Sequence, residues 1–162
     1  MIARYRVAAG RIRQELEELD LVVRRAERAL AAAGKASADR DLLLDSVALN
    51  LHDFYAGTER MFEHIASSVD RSVPSGTDRH RELLQQMTLD VSGLRPAVIS
   101  AETARAVDEY LRFRRVVRNV YAFELDAERL GRLGTALGPT FGVVRSDLEA
   151  FATFLERVGP ES

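Results

Sequence analysis

The chain has 162 residues, 46% of them hydrophobic and 30% charged, with a formal net charge of -2. That length supports one hydrophobic core better than two, so residues 1–162 are expected to form a single domain, and the apolar content is that of a folded protein. Cysteine is absent, which excludes disulfides, thiolate metal sites and cysteine nucleophiles; the small negative charge requires any nucleic-acid contact to be local.

No run approaches the roughly 18 apolar residues of a membrane span, and Arg4, Arg6 and Arg11 interrupt the N-terminal segment where a secretory leader carries its apolar core. A cytoplasmic location without membrane contact is the expectation. The histidines, His52, His64 and His80, form no zinc spacing, so neither a metal nor another cofactor is expected.

The first apolar series is Ile12, Leu16, Leu19, Val23, Ala26 and Leu30, in steps of four and three with charged residues between. It predicts a long amphipathic helix. Gly34 is a plausible stop, Ser37 a candidate cap for the next helix, and Asp39 a residue of that helix's first turn. The second series, Leu44, Val47, Leu51, Phe54, Met61, Ile65 and Val69, keeps helical spacing until a polar loop at Ser72 to Thr77.

A short third helix is expected from about Arg79 to Leu89, after which Gly93 and Pro96 oppose helix. Ser100, with Glu102 behind it, opens a fourth helix that has Val107, Leu111, Val117 and Val120 among its apolar positions. Asp126 caps a fifth, whose series Leu130, Leu133, Leu137, Phe141, Val144, Leu148, Phe151, Leu155 and Val158 runs through Gly138 and Pro139. Pro139 is expected to kink or split it, because proline lacks the backbone donor and crowds the preceding turn. The nearest thing to a strand, Pro96 to Ile99, is too short to found a sheet. An all-α antiparallel bundle of four to five helices follows. The same spacing also suits a helix-mediated homodimer.

The densest positive charge is RFRRVVR, Arg112 to Arg118, with no acidic residue inside it. On a helix Arg114, Arg118 and Tyr121 share a narrow sector. Two guanidiniums beside a phenol suit a phosphodiester, since arginine offers paired donors to phosphate and tyrosine stacks on bases. The alternative is a solvated face whose arginines pair with Asp108, Glu109 or Glu124. His80, between Arg79 and Arg81, is a second phosphate-binding candidate; its alternative is an exposed histidine at a loop edge. His52 and Glu59 share a helix face by their spacing, and His52 and His64 read as packing or surface residues.

The stretch DEYLRFRRVVRNVYAFELDAERL, Asp108 to Leu130, resembles the signature region of HepT-like proteins, a branch of the HEPN ribonucleases. Asn50 to Ala66 and Ser75 to Met87 are similar to that family's second and third helices. The family motif is an arginine, four to six intervening residues and a histidine, often with a tyrosine two positions later. The register that fits is Arg114, Asn119 and Tyr121, so asparagine stands in place of the histidine.

The resemblance implies an HEPN-like bundle and metal-independent RNA cleavage, for instance of tRNA, at a composite site across a homodimer, with the RNA 2′-hydroxyl as nucleophile. It gives Arg114 and Asn119 the catalytic positions and leaves Arg115, Arg118 and His80 to bind RNA phosphates. It further implies a toxin whose antitoxin is a minimal nucleotidyltransferase that transfers AMP to Tyr121. Asn119 can donate and accept hydrogen bonds but cannot act as a general base near neutral pH. A five-residue step also sets Arg114 and Asn119 about 140° apart on an ideal helix. An inactive interaction module that docks a nucleotidyltransferase is therefore the second reading, and a purely structural bundle the third.

Overall fold

The computed structural model describes residues 2–35, 38–119 and 126–161, with side chains described for 3–35, 38–116 and 126–158. Five α-helices follow one another: α1 (Ile2–Lys35), α2 (Arg40–Ile65), α3 (Arg79–Met87), α4 (Ala101–Asn119) and α5 (Ala127–Glu161). A π-helical turn, Ala66–Asp70, extends α2. Among the described residues no strand forms, and the segment after α3 holds only an isolated antiparallel bridge between Val91 and Arg95. The chain is thus an all-α bundle.

α1, α2 and α5 bury the stripes that their periodicity marks, and α4 buries Val107 and Leu111 of its stripe, whose Val117 and Val120 side chains lie outside the described residues. Ile12, Leu16, Leu19, Val23 and Ala26 of α1 are buried, as are Val47, Leu51, Phe54, Met61 and Ile65 of α2 and Leu130 to Leu155 at every stripe position of α5. α1 packs chiefly on α2 and α5, and α2 also meets α3 and α4. The antiparallel sense shows in the cross-links. Arg13 near the start of α1 pairs with Glu156 near the end of α5 at 2.6 Å. Tyr110 on α4 donates to the Leu133 carbonyl of α5 at 2.7 Å. Arg60 on α2 pairs with Glu15 on α1 at 2.9 Å. Beside that pair, Gly57 lets the helices close up: a Cβ there would lie 2.6 Å from both Glu15 Oε1 and Leu19 Cδ2.

The expected position of Asp39 and the expected splitting of α5 at Pro139 need correction. Asp39 is not in the first turn of α2 but at its N-cap, with left-handed backbone at φ 62° and no side-chain capping bond. Aspartate tolerates that geometry, and Asp41 takes the first-turn position that favours the helix dipole. Pro139 does not split α5, which runs unbroken from Ala127 to Glu161. Leu137, Phe141 and Val144 on both sides of the proline are buried, and their packing outweighs the cost of a proline inside a helix, about 3 kcal/mol for the missing donor and the crowded turn together. Ser37 lies outside the described residues.

The other caps form as expected. Ser100 Oγ accepts the Thr103 amide at 3.0 Å at the start of α4, and Asp126 Oδ1 accepts the Glu128 amide at 3.0 Å at the start of α5. The loop after α3 is held by Arg95, fully buried against Asp70 of the π-helical turn, with contacts of 2.5 and 2.7 Å. Carbonyls of Gln86, Leu89 and Pro96 take its remaining donors. That pair fixes where α3 sits on the bundle.

Candidate functional site

α3 is short, and its inner face is set by Leu83, Leu84 and Met87, all buried. His80 lies three, four and seven residues before them, so the same face carries it inward. It meets Glu59 of α2: His80 Nδ1 lies 2.7 Å from Glu59 Oε2. The same oxygen accepts the Tyr55 hydroxyl at 2.8 Å. Only 14% of the His80 side chain and 11% of the Glu59 side chain are exposed, so His80 is not the exposed loop-edge histidine of the alternative reading. A carboxylate this deep requires partners, and the phenol and imidazole supply them. Burial, then the charge of Glu59, pushes the Tyr55 phenol well above its usual range, while the positive charge of Arg114 pulls the other way. Tyr55 therefore remains a donor throughout the useful pH range.

α4 faces this cluster with two sectors of its surface. Arg114 follows Val107 and Tyr110 by seven and four residues and continues their buried stripe, which makes it half-buried and brings its charge to bear on Tyr55. Asp108, Arg112 and Arg115 lie on the sector toward α3. Asp108, with 15% of its side chain exposed, takes Arg112 at 2.9 Å and Arg81 of α3 at 3.3 Å. Its Oδ1 is buried without a hydrogen bond. Arg115 reaches Asp78, just before α3, at 3.7 Å.

The solvated-face reading thus describes Arg112 and Arg115, which pair with carboxylates at partly exposed positions, though Asp78 was not an expected partner. It does not describe Arg114, which among the described residues forms no ion pair. The structure brings Arg114, Arg115 and His80 to one end of the α2–α3–α4 contact. Arg118 and Asn119 belong to α4, but their side chains lie outside the described residues, as does Tyr121 entirely. Glu59 and Tyr55 were missed as site residues by the sequence reading. The i, i+4 spacing of Tyr55 and Glu59 was visible, but Glu59 was matched with His52, which instead stands 3.8 Å from Asp53.

Chemically, this end of the bundle offers an arginine half-shielded from water, an imidazole oriented by a carboxylate and further guanidiniums at the rim. That set suits an anion such as a phosphodiester. Among the described residues no group of three or more His, Asp or Glu is placed to hold a metal ion, and no helix is long and apolar enough to cross a membrane.

The chain is an all-α bundle whose fourth helix carries the arginines. A family model described as HepT-like protein matches residues 46–155, more than half of the chain. The chain belongs to the HepT-like family of the HEPN superfamily, which places it in general terms among toxin and ribonuclease modules. No curated protein and no solved structure matches it.

Proposed function

We propose that the chain, acting as one unit over residues 1–162, is an RNA-binding HepT-like toxin that cleaves RNA without a metal ion. The observation that supports this most is that Arg114, the arginine of the family motif, is half-buried on α4 and near enough for its charge to act on Tyr55 of the Tyr55–Glu59–His80 cluster. Arg114 stabilises the charge that develops on the phosphate oxygens, a purely electrostatic contribution that survives the loss of the motif histidine. Arg115 and Arg118 hold neighbouring phosphates, and Asn119 hydrogen-bonds the 2′-hydroxyl or a phosphate oxygen. The homodimer assembles the composite site, in the cytoplasm. The antitoxin is a minimal nucleotidyltransferase, and AMP attached to Tyr121 fills the anion site and excludes RNA.

A second reading, an inactive module that only docks the nucleotidyltransferase, is favoured by Asn119. Expression of the chain alone separates the two. The toxin reading expects growth arrest that Arg114→Ala relieves and the partner enzyme suppresses; a chain that leaves growth unchanged, yet copurifies with the nucleotidyltransferase, sinks it.

A further inference from the structure

The Tyr55–Glu59–His80 chain is more than a tie between α2 and α3, because of which nitrogen it leaves open. Glu59 Oε2 accepts from the Tyr55 hydroxyl and faces His80 Nδ1 at 2.7 Å. Against a carboxylate Nδ1 carries the proton whether the ring is neutral or charged, so Nε2 is the nitrogen that gains and loses a proton. Nε2 makes no hydrogen bond to the described residues and is not among their buried, unpartnered atoms. The ring is therefore oriented by one nitrogen and open at the other, the arrangement in which a carboxylate positions a histidine for proton transfer. Arg79 and Arg81 flank it in sequence on α3, Arg81 tied to Asp108, and Arg115 of α4 is tied to Asp78 just before α3, so cations able to meet an RNA backbone lie on the elements next to it.

We propose that His80 is the general base of the cleavage reaction and that Glu59 is its positioning residue, with Tyr55 holding Glu59. This rests on the ribonuclease reading above and supplies the proton transfer that Asn119 is chemically unable to perform. In the step, His80 Nε2 takes the proton of the 2′-hydroxyl and O2′ bonds to phosphorus. The P–O5′ bond breaks, and the departing O5′ takes a proton from water. The products are a 2′,3′-cyclic phosphate and a 5′-hydroxyl, and the imidazolium returns its proton to solvent.

The test uses the full chain, single-stranded RNA and EDTA, and measures the single-turnover cleavage rate separately from RNA affinity. His80→Ala is expected to lose at least about 100-fold in rate, the lower end of what general acid–base catalysis contributes, with RNA affinity little changed. Added imidazole should restore part of the rate to His80→Ala and none to Arg114→Ala. His80→Gln keeps a polar side chain in the same place and guards against a folding defect; it should be as inactive as His80→Ala while melting like the unaltered protein. Glu59→Gln should retain more activity than either, and His52→Ala should cleave normally. If His80→Gln cleaves normally while Arg114→Ala is inactive, the ribonuclease reading stands and the role of His80 falls. If His80→Ala loses affinity in step with rate and imidazole restores nothing, His80 binds RNA and is not the base. If the unaltered chain leaves RNA intact, both readings fall together.

Discussion

Asp70 and Arg95 show what a single buried pair does in this molecule. Arg95 is wholly enclosed, and Asp70 is its only carboxylate partner among the described residues. Asp70→Asn leaves a buried guanidinium without a counter-charge and should cost about 3–5 kcal/mol, read as a lower midpoint in urea unfolding. A substitution that costs nothing would mean that Arg95 escapes to water. Tyr110 gives a pH prediction. Its buried phenol is pushed up to about 12, chiefly by burial, with the Thr140 hydroxyl opposing. A folded-state value above the unfolded one means that this stabilisation is complete below pH 10 and is lost as pH rises toward 12. Unfolding midpoints should fall across that window, and Tyr110→Phe should flatten the fall. The candidate site was half legible at this scale. Arg114 stood out as part of a charge cluster, whereas the setting of His80 depends on Glu59, 21 residues away across a loop and in another helix. No local spacing carries that pairing, so the sequence left open an exposed histidine at that position.

Among the elements, α1 and α2 are locked by the close approach at Gly57. Gly57→Ala gains up to about 1 kcal/mol of helix propensity. Against that, its Cβ would press on Glu15 and on the buried Leu19 at 2.6 Å, and overpacking of this kind costs about 1–3 kcal/mol. A net loss of about 1 kcal/mol is expected in denaturant titration; a gain would show that α1 can shift freely. Helix stripes were the most legible feature of the sequence, because core burial and the 3.6-residue period impose the same spacing. The ends were less so. Asp39 takes the capping position with an unusual backbone, and α5 passes through Pro139 because long stretches of buried stripe on both sides outweigh a local penalty.

For the whole molecule, the net charge of -2 means that the proposed RNA binding has to come from the arginine-bearing end. Binding should therefore weaken with salt, but only to the extent of a few phosphate contacts. Arg115→Ala should reduce the slope of log affinity against log salt by about 0.7, the value for one single-strand phosphate contact, and do so equally for unrelated RNA sequences. An unchanged slope would show that its pairing with Asp78 keeps Arg115 from RNA.

The central claim, metal-independent RNA cleavage that depends on Arg114, is tested most directly by the ends of RNA cut in the presence of EDTA. The unaltered protein should yield 2′,3′-cyclic phosphates and 5′-hydroxyls, and Arg114→Ala should lower the yield by about 100-fold or more, as loss of one donor to developing charge does. Intact RNA, or equal yields from the two proteins, would contradict it.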